Sequence, residues 1–279
     1  MNSLYQQDQR AVLVVGGSGK TGRRVVERLR AAGRPVRIGS RAAQPSFDWE
    51  DPSTWAGALQ GVSAAYITYY PDLAVPGAPQ AIEAFARQAL QAGVCRLVLL
   101  SGRGEHEAQQ AEEKLMASGA DWTIVRCSWF MQNFDEGAFR DSILSGEVAL
   151  PVSDMPEPFI DADDIADVAV AALGDDRHIG QLYELTGPRM LSFAEAVGEI
   201  ARASGREIAF AQIPMQAFAA GAAQQGMPAD IVEFLGYLFT EVLDGRNAHL
   251  GDGVQRALGR EPRDFAEYAR RAAAAGVWK

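Results

Sequence analysis

Ala11-Val12-Leu13-Val14-Val15-Gly16-Gly17-Ser18-Gly19-Lys20-Thr21-Gly22 decides how the whole chain is read. Its first five residues form an unbroken apolar run rich in β-branched side chains, as expected of a strand buried on both faces. Glycine then recurs at 16, 19 and 22, and beyond it Val25, Val26 and Leu29 share one helical face. The Gly-Lys-Thr triplet resembles the end of a P-loop, but that motif needs glycine at position 14, which is Val14 inside the strand. What remains is a G-x-x-G-x-x-G frame joining a strand to a helix. Gly16 permits the tight turn, Gly19 admits a pyrophosphate to the backbone, and Gly22 lets the helix pack on the sheet. Ser18, Lys20 and Thr21 complete a loop whose N–H groups face the phosphates of a dinucleotide. A simple turn needs only one of these glycines.

The next strand selects the dinucleotide. An NAD site places an acid near the end of this strand to hold the ribose 2′-hydroxyl. Val36-Arg37-Ile38-Gly39-Ser40-Arg41 has none. Ser40 and Arg41 instead offer a hydroxyl and a guanidinium to a 2′-phosphate, and Lys20 is one of only three lysines in the chain. NADP(H) is therefore the expected cofactor; the alternative is that Arg41 only faces solvent.

Working outward, Ser46–Asp48, Ala64–Thr68, Arg96–Leu100 and Trp122–Val125 also read as strands, with helical patterns between them that close at Gly33, Gly93 and Gly119. Strand–helix–strand repetition means parallel strands joined by right-handed crossovers. The expected fold is α/β: a doubly wound parallel Rossmann sheet over residues 1–150, then a smaller, mainly helical substrate domain over 151–279, with segments near 160–190 returning to the first domain. In the second part, Asp163 or Asp164 is expected to cap a helix through Leu173, with short strands at Leu182–Leu185 and Ile208–Ala211. Ser192-Phe193-Ala194-Glu195 is a capping box. A substrate is expected in the cleft between the domains.

Composition narrows the class. The 279 residues carry 26 Lys+Arg against 36 Asp+Glu, a net charge of −10, with 48% hydrophobic residues. That balance excludes disordered and fibrous classes and disfavours bare nucleic acid or an anionic membrane as partner. Cys95 and Cys127 cannot staple so long a chain, Met1–Arg10 is polar, and no apolar run approaches the roughly 20 residues that span a bilayer. A cytoplasmic protein, monomer or homodimer, acting on a small molecule is expected.

A short-chain dehydrogenase normally protonates its product through Tyr-x-x-x-Lys. Here the lysines are Lys20, Lys114 and Lys279, and four residues before them stand Gly16, Gln110 and Ala275. The pair is absent. Ser101, ending the strand at Arg96–Leu100, keeps the place of a catalytic serine, and His106 is either surface or an acid or orienting group. An iminium acceptor needs no such acid, because it is already cationic. Tyr66 reads as core, Tyr69 and Tyr70 as pocket or surface, and Trp129-Phe130-Met131 as an apolar wall or as core. His178 and His249 read as incidental. Asp161, Asp163 and Asp164 suggest a metal cluster at first sight, but a helix cap with solvated neighbours is the better reading, and no metal is expected.

With these residues in view, the chain resembles the NmrA-like atypical short-chain dehydrogenases. Gly16–Gly22, Arg126-Cys127-Ser128-Trp129-Phe130-Met131-Gln132-Asn133-Phe134 and Phe159-Ile160-Asp161-Ala162-Asp163-Asp164-Ile165-Ala166 carry the likeness, although Cys127 stands where the group usually has proline. Phe47-Asp48-Trp49, Thr54-Trp55 and Gly226-Met227-Pro228-Ala229 are similar to the fungal agroclavine and festuclavine dehydrogenases. The resemblance implies an NADPH-dependent oxidoreductase that reduces an iminium or related activated C=N or C=C acceptor. Other members imply a quinone reductase or a non-catalytic NADP sensor. The expected cofactor contacts also include Asp48, Trp49, Thr68, Tyr69 and Ser101, and the expected substrate contacts are Tyr70, Trp129, Phe130 and Asn133.

Overall fold

The computed structural model describes residues 10–137 and 139–279, so Met1–Gln9 of the polar first stretch lie outside the described residues. Eight strands are present among the described residues: β1 (Ala11–Val15), β2 (Val36–Gly39), β3 (Val62–Ile67), β4 (Arg96–Gly102), β5 (Asp121–Cys127), β6 (Glu147–Leu150), β7 (Gln181–Leu185) and β8 (Ala209–Gln212). The helices are α1 (Lys20–Ala31), α2 (Trp55–Leu59), α3 (Ala78–Gln91), α4 (His106–Met116), α5 (Arg140–Ser145), α6 (Ala162–Gly174), α7 (Phe193–Ser204), α8 (Met215–Gln224), α9 (Ala229–Tyr237), α10 (Gly253–Leu258) and α11 (Phe265–Ala274). Six strands form one sheet in the order β2-β1-β3-β4-β5-β7, with β1 parallel to β2 and β3, and β3 parallel to β4. This is the doubly wound Rossmann-type sheet that the alternation of apolar runs and amphipathic helices requires. The strand order reverses between β1 and β3, which makes their carboxyl ends the switch point where such sheets bind ligands.

The chain groups into two compact units, each made of several segments. The first holds the described residues up to Ser101, with His106–Val125 and Ala166–Tyr183; the second holds Gly102–Glu105, Arg126–Ile165 and Glu184–Lys279. The grouping of 166–183 with the first unit lies within the stretch expected to return to it. Residues 126–150 belong to the second unit, while 166–183 group with the first because β7 completes the sheet beside β5. The first core is built from Leu13, Val15, Leu59, Ile82, Phe85 and their neighbours, all buried. The second unit adds its own two-stranded sheet, in which β6 and β8 pair in parallel from Glu147–Ala209 to Leu150–Gln212. Its core is aromatic. Phe134 is fully buried, its ring centroid 5.4–5.8 Å from those of Phe139, Phe159 and Phe265, and its carbonyl accepts the Trp278 indole N–H at 3.0 Å.

Several local expectations need correction. Ser46–Asp48 is not a strand. The Ser40 carbonyl accepts the N–H groups of Ala43 and Phe47, folding the segment back so that Phe47 plugs a cluster with Trp49, Trp55 and Phe85. The cap of α6 is neither Asp163 nor Asp164: Asp161 accepts the Asp163 N–H at 2.8 Å, and Gln132 Oε1 accepts that of Ala162 at 2.7 Å. Nor are these acids solvated neighbours. Asp161 and Asp164 are fully buried, Asp161 paired with Arg271 and Asp164 with Arg260 and Arg263. Buried carboxylates need such partners, since an isolated charge is strongly penalised away from water. His178 and His249, read as incidental to function, both have side-chain partners. His178 is buried, bonds Tyr183 through Nδ1 at 2.8 Å, and is held below the usual imidazole pKa by burial and then by Arg177; His249 contacts Arg103 at 2.7 Å. The capping box at Ser192 and Glu195 forms, and Gly205 ends α7 in the left-handed region.

Candidate functional site

In the first unit the glycine loop lies at the switch point, and its three glycines have different causes. A Cβ on Gly16, whose φ is +69°, would lie 2.2 Å from Thr68 Oγ1, and one on Gly22 would lie 2.1 Å from the Gly16 carbonyl oxygen. The fold itself forbids side chains at both. Gly19 is different: its φ of −76° and ψ of 177° suit any residue, and its Cβ would meet only the Gly16 oxygen, at 3.3 Å. Packing does not demand glycine there, so the space beside Gly19 fits a group that comes from outside the chain. Gly19 is also the N-cap of α1, it supplies no side-chain acceptor, and no acid stands in the first turn. A helix start left in this way favours a phosphate. These features fit a bound dinucleotide.

Around the loop, several expected cofactor contacts turn out to hold the loop's walls. Thr68 donates its hydroxyl to the Val15 carbonyl at 3.1 Å, and the Trp49 indole N–H donates to the Thr68 carbonyl at 3.0 Å. Asp48 accepts the Trp55 indole N–H on its carbonyl at 2.6 Å and the Glu50 N–H on its carboxylate at 3.1 Å. Tyr69 packs 4.9 Å from the Trp49 ring, and burial, then Glu50, raises its phenol pKa. Ser40 follows the end of β2, and Arg41 is exposed beyond it. Arg41 is not alone, because Tyr70 places its ring 5.9 Å from the guanidinium carbon. Tyr70 was expected at the substrate; it is 71% exposed and lies beside Arg41.

Both residues expected as acids have partners within the first unit. Ser101 is buried and donates its hydroxyl to Glu112 Oε1 at 2.6 Å, so its proton is already committed. His106 opens α4 on the exposed surface, with Nε2 2.7 Å from the Gln110 amide nitrogen.

In the second unit, Trp129 is half-buried, its ring stacked near Phe139 and Phe239 at 6.3 and 5.8 Å, and its indole N–H is buried without a partner. Phe130 bridges Ile160 through its backbone, and Asn133 closes the short 3-10 turn Met131–Asn133. Cys127 ends β5 and is buried, which raises its thiol pKa well above the ordinary value. Two charged residues beside this segment carried no local signal in the sequence. Arg103 is 3% exposed, donates to the Asn247 and His249 carbonyls at 3.3 and 3.2 Å, and lies 3.7 Å from Glu184. Glu157 is 4% exposed and receives the Trp129 backbone N–H at 3.4 Å. Among the described residues no group of His, Cys, Asp and Glu could hold a metal, and no helix is long and apolar enough to cross a membrane.

A doubly wound sheet with a glycine frame at its switch point defines a dinucleotide-binding protein of the Rossmann class. A family model described as NAD(P)H-binding matches residues 16–176. The chain is 34% identical to the uncharacterized oxidoreductase YesF of Bacillus subtilis, over 97% of both chains. It is 31% identical to agroclavine dehydrogenase of Claviceps fusiformis, over 92% of this chain and 95% of that one. Among solved structures, an NADPH-dependent quinone oxidoreductase of Escherichia coli superposes with a TM-score of 0.78 at 20% identity, covering 93% of this chain and 99% of that one. The chain belongs to the NAD(P)H-binding family of NmrA-like atypical short-chain dehydrogenases, and it is an NAD(P)H-dependent oxidoreductase.

Proposed function

We propose that the protein uses NADPH to reduce an iminium or a related activated C=N or C=C bond in a small molecule. The observation that carries this reading is the committed Ser101 hydroxyl in a chain without Tyr-x-x-x-Lys. Reduction of a ketone builds negative charge on oxygen and calls for an acid. Reduction of an iminium removes positive charge and calls for orientation, which alone lowers a barrier by several kcal/mol. The dinucleotide supplies the hydride when bound; Gly19, the start of α1, Ser40 and Arg41 are the groups that fit it. Agroclavine dehydrogenase, similar over most of the chain, supports the same reading. A quinone acceptor finds less support, because the Trp129 ring, expected at the substrate, already stacks near Phe139 and Phe239.

The test is NADPH oxidation with a panel of cyclic iminium ions, quinones and simple ketones. Turnover of the iminium ions but not of the ketones is expected; efficient ketone reduction would refute the proposal. Ser101→Ala and His106→Ala should each lower kcat by less than about a hundredfold, where loss of a true general acid costs about 10²–10⁴. Complete loss of turnover in either variant would restore a conventional acid.

The preference for NADPH rests on Arg41 and the acid-free second strand. Arg41→Ala removes a charge-assisted contact worth roughly 1.5–3 kcal/mol, so NADPH affinity should fall about tenfold or more. NADH affinity should hardly move. Titration of both cofactors checks this, and equal losses would exclude a 2′-phosphate contact.

A further inference from the structure

Among its described residues the second unit holds three buried acids, Glu157, Asp161 and, in the first turn of α6, Asp164, and two of them have a cation. Asp161 pairs with Arg271, and Asp164 with Arg260 and Arg263. Glu157 has no ion pair among the described residues. Its backbone is pinned by reciprocal bonds with Leu191, at 2.8 and 3.1 Å, and its carboxylate receives a single long hydrogen bond, 3.4 Å from the Trp129 backbone N–H. Trp129 stands two residues beyond the carboxyl end of β5, the end at which sheets of this kind bind ligands. The charge acting on Glu157 through space is Arg103, whose guanidinium is held by the Asn247 and His249 carbonyls, with Glu184 and the His249 ring also against it.

We infer that Glu157 is the specificity-determining group for a cationic substrate, its carboxylate serving as counter-ion to the iminium nitrogen. The inference rests on the reading of the reaction given above and deepens it by naming the charge the site selects. A desolvated carboxylate with one weak hydrogen bond is costly alone and gains when a cation arrives. The same desolvation sets a pH signature. Burial raises the Glu157 pKa to about 7, against the opposing effects of the Trp129 N–H and Arg103. Below that value the group is neutral and offers a cation little; above it the group is charged and binds. Cation affinity therefore rises with pH through neutrality.

A calorimetric titration of the full chain saturated with NADP⁺, in which no hydride is available, tests this. The probes are N-methyl-3,4-dihydroisoquinolinium, a permanent cation, and its neutral N-methyl lactam. The wild-type protein should bind the cation roughly tenfold more tightly at pH 8 than at pH 6, the ratio of ionised fractions for a group near 7, and the lactam equally at both. Glu157→Gln keeps the shape and the acceptor for the Trp129 N–H. It should lose about tenfold or more in cation affinity at pH 8, become insensitive to pH, and bind the lactam unchanged. Equal losses for both probes would reduce Glu157 to a structural role. A pH dependence that survives in Glu157→Gln would belong to another group, and either result overturns the inference. If the wild-type protein still reduces the cation with NADPH in those cases, the proposed reaction stands without Glu157; if it neither binds nor reduces the cation, both fall.

Discussion

Gly19→Val is expected to abolish dinucleotide binding in a protein that remains folded. The three loop glycines separate the reasons for having no side chain. At Gly16 and Gly22 a Cβ would lie 2.2 and 2.1 Å from atoms of the protein, so changes there damage the loop itself and say nothing about a ligand. At Gly19 the backbone is extended, and the one contact is the Gly16 oxygen at 3.3 Å, which moves a few tenths of an ångström to make room. The valine side chain then occupies the space through which a pyrophosphate reaches the backbone. Affinity should fall at least a hundredfold, about 3 kcal/mol. Fluorescence titration with NADPH measures the loss, and far-UV circular dichroism shows whether the fold survives. Unaltered binding by a folded variant would remove this loop from the phosphate site.

Phe134→Ala should produce the largest loss of stability. The ring is fully buried, with aromatic neighbours on several sides. Truncating such a ring deletes its transfer free energy and leaves a cavity, together about 3–5 kcal/mol. A core of interlocking rings cannot collapse into that space without giving up its edge-to-face geometry. The urea midpoint should fall accordingly, and the first unit's nucleotide loop is untouched by the change. A shift below about 1 kcal/mol would mean that the second core is looser than its packing implies.

The parts of this structure that local chemistry dictates were legible in the sequence. Val12–Val15 followed by Gly16, Gly19 and Gly22 leaves few alternatives, and the capping box at Ser192 is written in four residues. The parts that depend on distant residues were not. Phe47 looks like the middle of a short strand until Trp55 and Phe85 supply the pocket that draws it inward. β6 has only four residues, and its partner β8 lies some sixty positions later. The acids around α6 read as solvated because Arg260, Arg263 and Arg271, which neutralise them, arrive a hundred residues downstream. Glu157 has no local mark at all; its hydrogen-bond partners, Trp129 and Leu191, lie far from it along the chain.

The sheet order has a consequence for how this chain can be divided. β5 lies between β4 and β7, and the N–H of Gly180 reaches the Trp122 carbonyl at 2.8 Å beside that pairing. A fragment ending near residue 150 looks like a self-sufficient nucleotide domain but lacks β7. Its β5 would present a row of unpaired amides and carbonyls on a strand with a buried apolar centre, a template that recruits further copies edge to edge. Since both units are assembled from interleaved segments, no single cut yields either one. A shortened version meant to keep either unit has to keep all of that unit's segments.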